Sequence, residues 1–167
     1  MKVPKNKIVV GISQGDINGI SYEVIIKTLL DNRILELCTP IVYGSPKIAA
    51  YHRKTLNISN FSMNNIRTPN EANHKRPNVI NCVDDNTRVE LGKSTSMAGM
   101  ASFQALERAV TDLKNELIDV LVTAPINKYN IQSGEFNFPG HTEYLARHFD
   151  SSGKELMLMI GDNLRVA

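Results

Sequence analysis

The segment formed by residues 138–146 places an imidazole and a hydroxyl side by side, in His141 and Thr142. The pair Pro139-Gly140 predicts a turn, and the residues after it suit the first turn of a helix better than a strand. Free backbone N–H groups and the positive end of a helix dipole gather at such a position. The sequence therefore predicts a place at His141 and Thr142 that suits an anionic ligand.

Two further polar residues stand in loops that follow short apolar runs. Asp16 lies in a glycine-rich segment, residues 11–20, which follows a predicted strand and opens a predicted helix but matches neither the dinucleotide fingerprint nor the Walker loop. We interpret Asp16 either as the N-terminal cap of that helix or as a group that faces a ligand. Lys128 is a natural partner for a phosphate or a carboxylate, although an exposed lysine is the commoner outcome.

The composition limits the functions that a protein with these loops could have. The 167 residues are 42% hydrophobic, which is enough for a buried core of about one domain. Nineteen basic and seventeen acidic residues are scattered along the chain and give a net charge of +2, which argues against nucleic-acid binding. The basic N-terminus is followed by a short, broken apolar run that resembles neither a signal peptide nor a membrane span. We expect a cytoplasmic protein without a membrane partner.

The remaining histidines and the two cysteines carry no chemical pattern. Cys38 and Cys82 lack the close spacing of a zinc or redox motif, so we interpret them as buried thiols of a cytosolic protein. His52, His74 and His148 have no supporting neighbours, and we interpret them as surface residues.

Short apolar runs alternate with longer stretches of helical period. Strands are predicted at residues 8–12, 41–43, 79–83 and 120–122, and helices at residues 20–30, 46–56 and 94–117. Residues 57–77 show no clean period and are predicted to be a loop that could include a short strand. The alternation predicts an α/β fold, with a mostly parallel sheet flanked by helices and ligands beyond the carboxyl ends of the strands. Three loops fall at that edge: residues 11–19, 123–128 and 138–142.

The last residues predict a strand, a turn and the start of another strand. Residues 156–160 are apolar, residues 161–163 are turn-like, and residues 164–167 begin a new strand. Because a terminus more often fades into a polar tail, we expect this chain to be the front part of a longer protein.

Four stretches of the chain resemble the 4-hydroxythreonine-4-phosphate dehydrogenase (PdxA) family. In family order they are Gly-Asp-Ile-Asn-Gly-Ile at residues 15–20, Val-Thr-Ala-Pro-Ile-Asn-Lys at residues 122–128, Phe-Pro-Gly-His-Thr-Glu at residues 138–143, and Leu-Arg-Val-Ala at residues 164–167. The resemblance spans the whole chain but about the front half of the family's length. It implies a truncated fold of the isocitrate/isopropylmalate-dehydrogenase type, with a first domain to about residue 135 and a second beginning at about residue 136.

The resemblance also implies an activity. Members oxidise the 3-hydroxyl of 4-phosphohydroxy-L-threonine with NAD and a divalent metal (zinc, magnesium or cobalt), and the β-keto acid loses CO2 to give 3-amino-2-oxopropyl phosphate in pyridoxal 5'-phosphate (vitamin B6) biosynthesis. The family is homodimeric. Carried over to this chain, the resemblance implies that His141 and Thr142 bind substrate, and Asp16 and Lys128 are candidates to face a ligand.

The metal-binding histidines of the family fall after Ala167, as do its other substrate-binding residues and most of its NAD contacts. The resemblance therefore assigns no metal ligand and no catalytic residue to this chain, which alone is expected to be inactive.

One loop departs from the family pattern, and two other functions stay open. The family has Pro-Ala after the acidic residue of the first loop and Gly after its Ile, where this chain has Ile17, Asn18 and Ser21. The first alternative function is a dehydrogenase of another phosphorylated hydroxy acid, such as a threonate or erythronate phosphate. The second is a non-catalytic phosphate-binding domain of the same fold.

Overall fold

A five-stranded parallel sheet forms the centre of the protein. The computed structural model describes residues 7–150 and 153–167. Its sheet strands are β1 (Ile8–Ser13), β2 (Cys38–Gly44), β3 (Asn64–Ile66), β4 (Asn78–Asn81) and β5 (Val120–Thr123). They lie in the order β3-β4-β2-β1-β5, and each pairs in parallel with its neighbours. The predicted α/β fold with a mostly parallel sheet is confirmed.

Helices occupy most of the connections, because consecutive parallel strands need a crossover. They are α1 (Ser21–Leu29), α2 (Arg33–Leu37), α3 (Pro46–Thr55), α4 (Ser96–Lys114) and α5 (His141–His148), with a 3₁₀ turn at Pro69–Glu71. Ser45 caps α3 by accepting the Ile48 N–H at 3.3 Å, and Thr95 caps α4 by accepting the Ala98 N–H at 3.3 Å. The sequence did not predict α2, since five residues are too few to show a helical period.

Beyond α5, the chain forms a short antiparallel hairpin of β6 (Met159–Ile160) and β7 (Arg165–Val166). This hairpin corresponds to the strand, turn and strand predicted at residues 156–167. Its apolar side chains, among them Leu158, Met159 and Leu164, are exposed in this chain. The hairpin therefore adds nothing to the buried core.

The central strand β2 shows how the core is divided between the two faces of the sheet. Ile41 and Tyr43 point to one face and pack with the middle of α4, whereas Val42 points to the other and packs with α1 and α3. This alternation is the ordinary consequence of the two-residue period of a strand. Both faces of the sheet are thus covered by helices.

A third cluster, rich in aromatic rings, attaches α5 to α4. Phe103 of α4 lies 5.8 Å from Phe136 between ring centroids, and Phe136 lies 5.3 Å from Tyr144 of α5. Ile131 and Leu106 complete the contact and are almost fully buried. The N-terminus of α5 consequently has a fixed position relative to the sheet. The predicted division into two domains at about residue 135 stays a prediction.

Several predictions of burial were wrong. The helical period of residues 94–117 puts Met97 and Met100 on an apolar stripe, but they are 46% and 63% exposed in α4. The period of residues 20–30 puts Ile20 on an apolar face, but this residue, which precedes α1, is 62% exposed. His52, interpreted as a surface residue, is 4% exposed, because its ring stacks on Tyr22.

The other histidines and the cysteines lie at intermediate or exposed positions. His74 is exposed as predicted, whereas His148 is half-buried against Tyr144. Cys38 and Cys82 are half-buried rather than buried. Among the helices within residues 7–150 and 153–167, none is both long and apolar enough to cross a bilayer.

Candidate functional site

The order of the strands places a crevice between the carboxyl ends of β1 and β5. From β1 the chain first adds β2 on one side, and it later returns to add β5 on the other. At such a switch point the two following loops diverge, and ligands of open α/β sheets bind in the crevice between them. Here the crevice has a volume of about 420 Å³. Its lining residues are Asp16, Gly19, Ile20, Ser21, Pro125, Ile126 and Asn127.

The loops after β1 and β5 are joined through one carbonyl group. The Pro125 carbonyl oxygen accepts the Asp16 N–H at 2.9 Å and the Ser21 Oγ–H at 2.7 Å. Gly15 lies against the same carbonyl group and has a φ of +65°, a backbone conformation that residues other than glycine rarely adopt. Two of the three predicted loops therefore form one unit.

Asp16 lines this crevice and does not cap α1. Its Oδ1 accepts the Asn18 N–H at 3.0 Å, within its own loop. The N-cap position of α1 is Ile20, and no described side chain caps that helix. The cap interpretation of Asp16 was wrong, and its role in facing a ligand stays a prediction.

Asn18 fastens the first loop to the N-terminus of α4. Its Nδ2 donates to the Lys93 carbonyl oxygen at 2.9 Å and to Thr95 Oγ1 at 3.1 Å, while its Oδ1 accepts the Glu90 N–H at 2.7 Å. The side chain is buried. The sequence singled out Asn18 as a departure from the family pattern but gave no sign of this bridging role, because its partners lie more than 70 positions away.

The turn after β5 carries Lys128 toward the predicted helix mouth. Asn127 Oδ1 accepts the N–H groups of Tyr129 at 3.0 Å and Asn130 at 3.3 Å, which closes the turn. Gln132 Nε2 then donates to the carbonyl oxygens of Lys128 at 3.2 Å and Phe138 at 2.8 Å. Sequence reasoning missed Gln132, which connects the second predicted loop to the third.

His141 and Thr142 are the first two residues of α5, as predicted, and Gly140 is its N-cap. No described side chain caps this helix. The Nζ and Cε atoms of Lys128 lie 3.9 Å and 3.8 Å from the point that a Cβ on Gly140 would occupy. The structure therefore places Lys128 beside Gly140 and His141, where α5 begins, whereas Asp16 makes its described contacts in the crevice with Asn18 and Pro125.

The environment of His141 favours the neutral imidazole. Burial lowers the pKa of His141 below its usual 6.5, and the nearby positive charge of Lys128 lowers it further. Its Nε2 atom is buried without a hydrogen-bond partner in the described part of the chain. A neutral imidazole can donate one hydrogen bond and accept another, so this atom is suited to a polar ligand.

Metal ligands are a separate matter. Within residues 7–150 and 153–167, no group of three or more His, Cys, Asp or Glu side chains could hold a metal ion. We assign none of the described residues a role in metal chemistry.

The fold and the site define an α/β protein with a ligand crevice at a switch point and a cationic helix mouth nearby. The family model "Pyridoxal phosphate biosynthetic protein PdxA" matches residues 36–167, and the chain belongs to this family. Its architecture is the isocitrate-dehydrogenase-like fold of that family.

Named relatives agree with this assignment. The chain is 55% identical over 164 residues to 4-hydroxythreonine-4-phosphate dehydrogenase of Bacteroides thetaiotaomicron, covering 98% of this chain and 44% of the relative. It is 35% identical over 161 residues to D-threonate 4-phosphate dehydrogenase of Cupriavidus necator, covering 95% and 47%.

A crystal structure of a 4-hydroxythreonine-4-phosphate dehydrogenase from Burkholderia phymatum superposes with a TM-score of 0.82 at 28% identity, over 96% of this chain and 49% of the other. The chain thus spans about half the length of the relatives it matches.

Proposed function

We propose that the complete product of the gene encoding this chain is an NAD-dependent, divalent-metal-assisted 4-hydroxythreonine-4-phosphate dehydrogenase. It oxidises the 3-hydroxyl of 4-phosphohydroxy-L-threonine, and the resulting β-keto acid releases CO2 to give 3-amino-2-oxopropyl phosphate for pyridoxal 5'-phosphate synthesis. Family membership and the 55% identical relative support the reaction. The observation within this chain that carries the proposal is the position of Lys128 beside Gly140 and His141, at the N-terminus of the helix that begins with His141 and Thr142.

In this proposal the residues of the chain bind and orient the substrate. Thr142 offers a hydroxyl, and neutral His141 offers one donor and one acceptor, to a substrate that carries hydroxyl, amino, carboxylate and phosphate groups. Asp16 faces the crevice between β1 and β5, which has the position that nucleotides occupy in doubly wound sheets. NAD, when bound, accepts the hydride that leaves the carbinol carbon.

The remaining parts of the proposal come from the family resemblance. The metal, which is zinc, magnesium or cobalt, is held by residues outside these 167, and the protein works as a cytoplasmic homodimer. Residues to about 135 belong to its first domain, and residues from about 136 begin its second. The 167-residue chain alone is inactive.

A second candidate is a dehydrogenase of D-threonate 4-phosphate, which the 35% identical relative from Cupriavidus necator favours. The two substrates differ at the carbon next to the carboxylate, where the first carries an amino group and the second a hydroxyl. None of the described contacts identifies a partner for that amino group. The lower identity of this relative places the second candidate behind the first.

One assay separates the candidates. The complete gene product is supplied with NAD, each of the three metals in turn, and either 4-phosphohydroxy-L-threonine or D-threonate 4-phosphate, while NADH formation is followed. We expect turnover of 4-phosphohydroxy-L-threonine. Oxidation of D-threonate 4-phosphate alone would make the second candidate correct, and turnover of neither compound would indicate a non-catalytic phosphate-binding domain.

A further inference from the structure

Gln14 connects the end of β1 to three helices through one buried side chain. It follows the last residue of β1 and is 0% exposed. Its Nε2 donates to the Ala101 carbonyl oxygen of α4 at 2.9 Å. Its Oε1 accepts the Tyr22 hydroxyl of α1 at 2.6 Å and the N–H of Ser45, the cap of α3, at 3.2 Å. The position of the backbone at the end of β1 therefore depends on this amide.

The surroundings of the Gln14 amide allow one orientation. The Ser45 N–H can only donate, so the amide oxygen must face it, and the amino group then faces the Ala101 carbonyl oxygen. A Cβ on Gly44 would lie 2.5 Å from both Gln14 Oε1 and the Tyr22 hydroxyl oxygen. No side chain fits at Gly44 beside this pair, and the amide is therefore held tightly.

The segment that Gln14 begins leaves one carboxylate accessible in the crevice. Residues 14, 15, 17 and 18 are buried, whereas Asp16 is half-buried and lines the crevice between β1 and β5. Its Oδ1 accepts the Asn18 N–H, and its Oδ2 lies 3.3 Å from the point that a Cβ on Gly19 would occupy. A carboxylate oxygen accepts hydrogen bonds, so Oδ2 suits a ligand that carries hydroxyl groups.

We propose that Gln14 is a positioning residue for cofactor binding. It holds the loop so that the Asp16 carboxylate lies in the crevice, where Asp16 accepts the ribose hydroxyls of NAD. Acidic side chains bind ribose hydroxyls in the same way in other doubly wound sheets. This inference rests on the proposed function, and it names both the part of the cofactor that Asp16 binds and the residue that positions Asp16.

A ribose contact should affect the affinity for NAD rather than the rate of hydride transfer. The hydride leaves the carbinol carbon for the nicotinamide ring, and the ribose hydroxyls take no part in that step. Their hydrogen bonds to Asp16 are equally strong in the ground state and the transition state. Loss of such uniform binding raises KM and leaves kcat unchanged.

The test uses variants of the complete gene product with one matched control. Tyr22→Phe removes the hydroxyl that donates to Gln14, and Gln14→Met removes the amide. The control is Tyr43→Phe, because Tyr43 is also 0% exposed and its hydroxyl donates to Asp112 Oδ2 at 2.9 Å in the core on the opposite face of the sheet. The KM for NAD, kcat and Tm are measured for each variant, alone and combined with Asp16→Ala.

We expect Tyr22→Phe to raise the KM for NAD roughly 2- to 10-fold, the size of one lost hydrogen bond, and Gln14→Met to raise it further. Asp16→Ala should raise this KM roughly 10- to 100-fold, because its hydrogen bonds are charged. Tyr43→Phe should lower Tm as Tyr22→Phe does but leave the KM for NAD unchanged. In the Asp16→Ala background, Tyr22→Phe should lower Tm as before and raise the KM for NAD no further.

The outcomes separate failure of this inference from failure of the proposed function. Turnover by the wild type combined with equal NAD KM values for Tyr22→Phe and Tyr43→Phe would overturn the inference alone, as would a normal KM in Asp16→Ala. If Gln14→Met does not fold, the comparison of the two tyrosine variants decides. Absence of turnover in the wild type would contradict the proposed function. Calorimetric titration with NAD then tests the inference, which is wrong if the wild type binds no NAD or if Tyr22→Phe binds it as tightly.

Discussion

Gly15 and Pro125 are in direct contact across the two loops that border the crevice. A Cβ on Gly15 would overlap the Pro125 carbonyl oxygen, the same atom that accepts hydrogen bonds from Asp16 and Ser21. Gly15 also has a positive φ of 65°. The relative position of the β1 and β5 loops thus depends on the absence of one side chain.

Gly15→Ala should therefore destabilise the protein strongly. The left-handed backbone costs a residue with a side chain about 1–2 kcal/mol, and the overlap with Pro125 adds about 1–3 kcal/mol. Gly92→Ala is the matched control, because Gly92 has a φ of +76° but open space at its Cβ position. Denaturant unfolding should show a clearly larger loss for Gly15→Ala than for Gly92→Ala. Equal losses would mean that the contact with Pro125 contributes nothing.

Asn18→Ala should lower the free energy of unfolding by about 1–3 kcal/mol. The substitution leaves the Glu90 N–H and the Lys93 carbonyl oxygen without the partner that Asn18 provides, and unsatisfied buried groups cost this much. Asn70→Ala, at an exposed asparagine, should change stability by less than about 0.5 kcal/mol. Chemical denaturation of both variants measures the difference, and a similar small effect at both positions would contradict the bridging role of Asn18.

The sequence predicts features that depend on residues close together along the chain, and it does not predict features that depend on contacts between distant residues. Strands β1, β2, β4 and β5 and helices α1, α3, α4 and α5 leave local patterns of period or composition, and the sequence predicted all of them. The sequence could not fix which side of a helix faces the core. At the start of α1, Ile20 is exposed and Tyr22 is buried, because Tyr22 faces the residues of β2 and α3 that pack against this helix.

The candidate site shows the same limit. His141, Thr142 and Lys128 stood out by residue type and by position after a turn or strand, and the structure places Lys128 beside Gly140, the N-cap of the helix that begins with His141 and Thr142. The positioning roles of Gln132 and Asn18 could not be recognised, because most of their hydrogen bonds are to backbone atoms, which any residue type can provide. Residue types indicate which side chains could bind a ligand, whereas the residues that hold those side chains in position are recognised only from the structure.

Acidification should destabilise the protein through His52. Burial lowers the pKa of His52 below 6.5, and its Nε2–H donates to the Ile17 carbonyl oxygen at 2.8 Å in the loop beside Asp16. A histidine with a lowered pKa takes up its proton more readily in the unfolded chain, so its contribution is intact above pH 6.5 and is lost as pH falls toward its folded pKa. Unfolding free energies measured from pH 7.5 down to 5 should decline less in His52→Gln than in wild type. The same decline in His52→Gln as in wild type would contradict this account.

Removal of the Lys128 charge should raise the pKa of His141. Burial is the larger cause of the lowered pKa and remains in Lys128→Met, but the repulsion between the two cations is lost. The His141 pKa should therefore move up toward 6.5 without reaching it. Titration of the His141 ring by NMR in the ligand-free protein measures this shift, with Lys54→Met, at an exposed lysine of α3, as the control that should leave it unchanged. An unchanged pKa in Lys128→Met would show that the lysine ammonium does not lie beside the imidazole in solution.

Glu143→Gln should tighten phosphate binding. The Glu143 carboxylate lies 3.6 Å from the Gly140 Cβ position, beside His141 and Thr142, which are proposed to bind the phosphorylated substrate, and its negative charge repels a dianion there. As an exposed side chain it interacts through solvent, so we expect the Ki of inorganic phosphate to fall by only roughly two- to fivefold. The amide also removes a favourable acidic group from the first turn of α5, which should cost a few tenths of a kcal/mol in stability. Glu135→Gln, at an exposed acid in the preceding loop, serves as the control and should leave Ki unchanged. Weaker phosphate binding in Glu143→Gln would place the phosphate elsewhere, because only an anion close to Gly140 gains from the loss of this carboxylate charge.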